Sequence, residues 1–374
     1  MLYRKFGKTG KYVSILGFGA MRLPTKEING VRTIDEELSI KIIRRGFELG
    51  INYIDTAYGY CEQKSEIIVG RAIKGWRNKI YLSTKSPLWQ IEKKDDYRRI
   101  LEEQLKKLDV DYIDFYHFHS LNWQSFQEKV LKLDLIDEAL KAKEEGIIKH
   151  ISFSFHDKPE YMKKIIEQVD IFETILCQYN ILDRSNEESI EYVSKKGIGV
   201  AVMGPVGGGR LSDFPYLMNI FKKKYRNPVE IAFKFVFANK NVSIALSGMN
   251  SLEMVEENVK IASSEKFLNE EEIKVIENII KERKKLGEIP CTSCRYCLPC
   301  PQNIPIPYIF QLYNQYILLG SKKYKENYIK IGTEGKEERK KADACVECGQ
   351  CEEKCPQKIE IRKELKKIHK ILSS

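Results

Sequence analysis

From residue 13 to about 263 the chain repeats one unit, a short β-branched run followed by a longer amphipathic segment. The runs are ILGFGA (15–20), NYIDTA (52–57), KIYLST (79–84), DYIDFYHFH (111–119), HISFSF (150–155), TILCQY (174–179), IGVAVMG (198–204) and VSIALSG (242–248). Segments between them, such as DEELSIKIIRRGFELG, DDYRRILEEQLKKLD and LIDEALKAKEEG, space their apolar residues at helical intervals, and the first and third close on glycine. Strands alternating with helices of this length build a parallel sheet. An open doubly wound sheet is the alternative, but no GxGxxG follows the first strand, and eight evenly spaced units suit closure. The expected fold is α/β, a (β/α)8 barrel over 1–285. A long helical segment, 269–286, then leads through GEIP into a small, mostly α second part over 286–374.

That second part carries eight of the ten cysteines, in CTSCRYCLPCP (291–301) and CVECGQCEEKCPQ (345–357). Disulfides, zinc and iron–sulfur clusters compete to explain them. Disulfides need an oxidising compartment. No long apolar stretch follows the basic residues of MLYRKFGKTGKYVSILGFG, so a cytoplasmic chain is expected. One tetrahedral zinc uses four thiolates, and two ribbons need only two pairs each. Here three closely spaced cysteines are followed by a fourth directly before proline, the ferredoxin pattern in which that fourth cysteine reaches the other cluster. Cys345, Cys348, Cys351 and Cys355 fit the spacing fully, and Cys291, Cys294, Cys297 and Cys300 are one residue short before the last. Two [4Fe–4S] clusters are expected, the first held by Cys291, Cys294, Cys297 and Cys355, the second by Cys345, Cys348, Cys351 and Cys300. Cys61 and Cys177 lie outside the runs and read as ordinary small residues.

A net charge of +10 raises nucleic acid as a partner. The basic residues are interleaved with acidic ones, as in KKDDYRRILEEQLKKLD, which is the pattern of solvated helix faces, and no aromatic-basic motif accompanies them. Each cluster would carry roughly −2, so part of the basicity balances metal. No apolar segment approaches the ~18–20 residues of a membrane span. Neither nucleic acid nor membrane is expected as a partner.

Barrel enzymes place their chemistry at the C-terminal ends of the strands. There stand Asp55 with Tyr58 and Tyr60, then Lys85, then His117 and His119. An Asp, a Tyr, a Lys and a His on one rim suit carbonyl reduction. Hydride arriving at the carbonyl carbon leaves charge on oxygen, which must be protonated. Tyrosine, with a pKa of about 10, is a reluctant acid. A neighbouring lysine stabilises phenolate and lowers that pKa, an aspartate keeps the lysine charged, and a histidine orients the carbonyl oxygen.

These segments resemble the aldo/keto reductase superfamily. RKFGKTGKYVSILGFGAMRLP is similar to its N-terminal signature, and GINYIDTAYGY, YLSTK and DYIDFYHFHSLN are similar to its catalytic segments. The likeness covers 1–285, and the cysteine runs extend it to the subfamily with a C-terminal ferredoxin-like domain. It implies a tetrad of Asp55, Tyr60, Lys85 and His119, its spacing choosing Tyr60 over Tyr58 and His119 over His117. It also implies a nicotinamide dinucleotide, NAD(P)H, lying across the rim. Gly19 and Met21 match positions near the nicotinamide. Ser154 matches the carboxamide-binding serine, with Phe155 in place of the usual asparagine. Leu176 stands at the usual glutamine position, with Gln178 two residues on. Pro205, Val206, Gly207, Gly208 and Arg210 would meet the pyrophosphate, the glycines by exposing backbone N–H groups and Arg210 by charge. In SGMNSLEMVEENVK, Glu257 and Asn258 match adenine-contacting positions. Gly248 and Met254 replace the Lys and Arg that grip a 2′-phosphate in many relatives, so the choice between NADH and NADPH stays open. The resemblance implies a reductase of small aldehydes or ketones. The alternative is an iron–sulfur electron-transfer or redox-sensing module on a weakly active barrel, docking a separate redox protein.

Overall fold

A computed structural model describes the chain apart from residues 29, 222–223, 292–294, 334–337 and 356 and the side chain at 284. The expected ligand Cys294 therefore lies outside the described residues. The chain divides into two compact units, Met1–Gly209 with Val229–Asn269, and Arg210–Pro228 with Glu270–Ser374.

The first unit is the closed barrel. Its strands are β1 (Leu16–Gly19), β2 (Tyr53–Asp55), β3 (Tyr81–Ser86), β4 (Ile113–Leu121), β5 (Ile148–Phe155), β6 (Thr174–Gln178), β7 (Gly199–Met203) and β8 (Ile244–Ser247). They run in the order β6-β7-β8-β1-β2-β3-β4-β5, and every pairing is parallel. All eight strands read from the sequence are present. Register fixes the heights of the rim residues: Gly19 stands opposite Asp55, Asp55 opposite Ser83, and Lys85 opposite His117.

The outer helices are α1 (Glu36–Glu48), α2 (Ser65–Ile73), α3 (Asp95–Leu108), α4 (Leu135–Glu144), α5 (Pro159–Gln168), α6 (Glu187–Lys195), α7 (Pro228–Ala238) and α8 (Leu252–Ala262). Two of them start on side-chain caps: Asp35 accepts from the Leu38 N–H at 3.2 Å, and Ser251 accepts from the Met254 N–H at 3.1 Å. Each helix turns its apolar stripe inward, as α1 does with Ile42, Ile43 and Phe47.

The sequence reading did not anticipate two antiparallel hairpins outside the barrel, Tyr3–Lys5 with Tyr12–Ser14 and Thr25–Ile28 with Val31–Ile34. The first contributes Phe6 and Val13 to a core cluster with Tyr53, Phe115, Leu176, Ala201, Ile244 and Leu246. Phe6 fits only because β7 starts with glycine. A Cβ on Gly199 would lie 2.5 Å from the Phe6 ring. Burying a side chain such as Phe6 contributes roughly 1.5–3 kcal/mol. With that plug filling the lower interior, the strand ends are left for polar groups.

The second unit is helical: α9 (Glu270–Lys285), α10 (Ile306–Leu319), α11 (Lys323–Ile329) and α12 (Ile361–Ser373), with a short helix Pro215–Phe221. Ile309, Phe310 and Tyr313 of α10 and Leu365, Ile368 and Leu372 of α12 are buried. The buried Tyr328 hydroxyl joins His369 Nδ1 at 2.7 Å and accepts from the Ala342 N–H at 3.1 Å, which ties the approach to Cys345 to α12. No helix among the described residues is long and apolar enough to cross a membrane.

Candidate functional site

β3 ends in four consecutive buried polar residues, Ser83, Thr84, Lys85 and Ser86, none more than 1% exposed. Such a run is costly unless its groups are paired. Alternation along the strand sends Ser83 and Lys85 into the barrel and Thr84 toward the helices. Ser83 Oγ donates to Asp55 Oδ2 at 2.8 Å. Lys85 Nζ donates to Asp55 Oδ1 at 2.5 Å and to the Thr56 carbonyl at 2.7 Å. The same ammonium lies 4.8 Å from the centre of the Tyr60 ring. Tyr58 faces a different cation, Lys107, at 4.0 Å. The His119 ring meets Tyr60 edge-on at 6.0 Å and Trp89 at 5.0 Å.

Charge follows from this geometry. Burial opposes the Lys85 ammonium, but Asp55 and Tyr60 hold it above its ordinary value. For Tyr60, burial raises the phenol, Lys85 pulls it down and Asp55 pushes it back up. Lys85 lowers the phenol as expected, but the balance lies above the ordinary tyrosine range because loss of water outweighs the cation. Tyr60 is therefore held in its protonated form. His119 is pushed down to about 3 by burial, then by Lys85 and His156, and is neutral. His117, opposite Lys85 in the register, is fully buried and is likewise held neutral.

Around this centre lie the positions expected to meet a dinucleotide. Gly19 ends β1 beside Asp55, and Met21 is exposed. Ser154 Oγ accepts from the Ser120 N–H at 2.8 Å, so it abuts the turn that follows His119. Gln178 ends β6 against Gly204, where a Cβ would come within 2.8 Å of its amide. Leu176 belongs instead to the apolar plug. After β7, Pro205 and Val206 lead into Gly207, Gly208 and Gly209, all at positive φ, and a Cβ on Gly209 would meet nothing within 4 Å. That loop is an open backbone cradle of the kind a pyrophosphate requires. Arg210 is exposed and is grouped with the second unit. Asn258 Nδ2 donates to Ser247 Oγ at 3.3 Å below Gly248, while Glu257 is exposed.

Sequence reasoning passed over two residues here. Arg22 Nη1 donates to the Gly208 carbonyl at 2.8 Å, and its stem lies 3.6 Å from the site of a Gly248 Cβ. It thus spans from the glycine loop to the end of β8. Its signal was a lone cation directly after an apolar strand end, in GFGAMRLP. Trp89, 53% exposed, stands over His119, and its signal was an aromatic just beyond the β3 rim.

In the second unit the described cysteines line two cavities. Cys300 shares one with Cys345, Cys348 and Cys351, and Cys291 shares the other with Cys355; Cys297 borders both. The Cys351 thiol, pushed up to about 11 mainly by burial, also feels Cys345 and Cys300. Among the described residues no three His, Cys, Asp or Glu side chains converge closely enough for a single metal ion. Ile306, Phe310, Ile359 and Ile361 wall the Cys291 cavity, and Arg362 and Lys354 edge the other.

A closed (β/α)8 barrel with a buried Asp–Lys–Tyr centre at its strand ends, joined to a helical unit with two cysteine-lined cavities, defines an oxidoreductase class. The Aldo/keto reductase family model matches residues 15–281, and the chain belongs to that family. A 4Fe-4S dicluster domain follows at 290–360. The chain is 28% identical over 319 residues to the uncharacterized oxidoreductase YqkF of Bacillus subtilis, covering 75% of this chain and 97% of that protein. It is 27% identical over 311 residues to L-galactose dehydrogenase of Arabidopsis thaliana, covering 76% and 95%. Among solved structures it is similar to the holo form of aldo-keto reductase AKR11C1 from Bacillus halodurans, with a TM-score of 0.63, 29% identity and coverage of 74% and 96%.

Proposed function

We propose that the protein reduces an aldehyde or ketone to the alcohol, with Tyr60 as proton donor, in a reductase module over 1–285, and that 286–374 holds two [4Fe–4S] clusters. The observation that carries the reading is the buried Asp55–Lys85–Tyr60 chain of contacts. A bound NAD(P)H supplies the hydride. Gly19, Met21, Ser154, Gln178, Pro205, Val206, Gly207, Gly208, Arg210, Gly248, Glu257 and Asn258 would hold it, together with Arg22. The open glycine loop supports that fit.

The reaction needs a proton at the carbonyl oxygen as negative charge grows there. Tyr60 is the acid, kept protonated by burial. Its phenolate, once formed, is stabilised by the Lys85 ammonium, which Asp55 keeps charged and aimed. Neutral His119 hydrogen-bonds the same oxygen and orients it. Trp89 screens the site from water and offers a flat apolar face to the substrate's carbon skeleton. The clusters would supply single-electron transfer or brace the helical unit.

Anaerobically purified full-length protein, given NADH or NADPH with a panel of aldehydes, hydroxyketones, quinones and L-galactose, tests the reading. Turnover without an added electron acceptor, lost by at least ~10²-fold in Tyr60→Phe and kept in Tyr58→Phe, is expected. Cluster reduction by NAD(P)H with no carbonyl turnover would favour the electron-transfer module instead.

A further inference from the structure

Glu66, in the first turn of α2, is fully buried, and the scheme above gives it no part. Its Oε1 accepts from Thr84 Oγ1 at 2.6 Å and from Gln104 Nε2 at 2.5 Å, while its Oε2 is buried without a hydrogen-bond partner among the described residues. Burial raises the carboxyl above its ordinary value, and Thr84, Gln104, Lys107 and Lys85 oppose that rise. A carboxyl in so costly a place calls for a role.

The role lies in what Glu66 does to Gln104. That amide, fully buried on α3, also donates from Nε2 to the Lys85 backbone carbonyl at 3.0 Å, and its Oε1 accepts from the Tyr116 hydroxyl at 2.7 Å. An amide in this pocket can sit in two orientations related by a flip. Glu66 Oε1 accepts from both Thr84 and Gln104, so it holds the NH2 end of Gln104 toward itself and the Lys85 carbonyl. The flipped amide would set its own oxygen against the carboxylate and the Lys85 carbonyl. Next to Glu66, Ser65 Oγ donates to the Ala20 carbonyl at 2.8 Å and joins Thr56 Oγ1 at 2.8 Å. The first turn of α2 therefore ties down the ends of β1, β2 and β3, and through Gln104 and Tyr116 it reaches β4.

We propose that Glu66 is a positioning residue for the Lys85–Tyr60 pair: a fixed acceptor that orients Gln104, which anchors the Lys85 backbone so that the ammonium stands against the phenol. Tyr60 faces Lys85, Asp55 and His119, and only Lys85 pulls its ionisation down. Loosening Lys85 therefore moves Tyr60 ionisation to higher pH. The kinetic consequence rests on the reductase reading; the ionisation of Tyr60 does not.

The test compares full-length Glu66→Leu and Glu66→Gln with the parent. Carbon NMR of ζ-labelled tyrosine, with Tyr60→Phe identifying the signal, reads Tyr60 ionisation without turnover. In Glu66→Leu that ionisation should move up, a shift that mere loss of folded protein would not give, and kcat should fall by about 10–10²-fold. The basic limb of the pH–rate profile should rise with it. Glu66→Gln, which still offers an amide oxygen to Thr84 and Gln104, should restore most of both. Should Glu66→Leu not fold, Gln104→Met cuts the same link and must give the same shifts. Parent-like Tyr60 ionisation in the folded Leu or Met variant overturns the proposal, as does an equal defect in Gln and Leu. A parent without carbonyl turnover overturns the reductase reading, and the NMR shift still decides the role of Glu66.

Discussion

His117 and His119 stand two positions apart on β4, and both are kept uncharged by burial and by the Lys85 charge. An unfolded histidine titrates near 6.5. Below that pH the unfolded chain binds protons that the folded barrel refuses, His119 until about 3. The contribution of these rings is thus complete above about pH 6.5 and is lost as the solution is acidified, by up to ~1.4 kcal/mol per pH unit for each ring. Urea melts followed by the fluorescence of Trp76, Trp89 and Trp123, all in the barrel unit, should show a midpoint falling between pH 7 and 5. In His117→Leu the fall should be shallower; an unchanged pH slope would show that His117 does not share in it. Composition could place a histidine at this strand but not its charge, which depends on how much water the finished barrel excludes.

At the level of elements, the loop from β2 to α2 departs furthest from what its residues prefer. Cys61, Glu62 and Gln63 sit at φ 52°, 54° and 66°, a left-handed run without glycine. Such backbone costs on the order of 1–3 kcal/mol per residue and is held by its surroundings, here the Ser65 and Glu66 contacts. The end of β8 and the start of α8 are relaxed by comparison. A Cβ on Gly248 would meet nothing closer than 3.6 Å, and Met254 is 43% exposed on the first turn of α8. Both positions can accept a longer cation. Gly248→Lys with Met254→Arg should tighten NADPH by tenfold or more, the scale of one charge-assisted contact, and leave NADH nearly unchanged. Fluorescence quenching that already shows a large NADPH preference in the parent would defeat this account.

On the scale of the whole chain, the helical unit is organised around thiols from two segments more than forty residues apart. α10 and α12 supply its apolar core, and the cavities draw Cys300 toward the 345–351 run and Cys355 toward Cys291. Ligands shared in this way cannot be ordered independently, so binding of clusters should couple the folding of both runs. Iron and sulfide analysis of anaerobic protein should give about eight of each per chain. Cys300→Ser should damage the cluster bordered by Cys345, Cys348 and Cys351. Spectroscopic loss confined to the cluster of Cys291 and Cys297 would refute the shared arrangement, and two zinc ions without sulfide would remove the clusters altogether.

The sequence by itself determined the barrel, because period-2 and helical patterns are local properties of the chain and eight alternations leave few ways to bury both faces of every strand. It also supplied the chemistry available at the strand ends, since a strand's last residues are marked by where its apolar run stops. Only the tertiary structure decided that Tyr58 meets Lys107, that Arg22 reaches Gly208, and that Leu176 belongs to the apolar plug. It alone brought Glu66 beneath Lys85 through Thr84 and Gln104. Those pairings join residues far apart in the chain, and their energies come from exclusion of water, which no stretch of sequence can express before the barrel has closed.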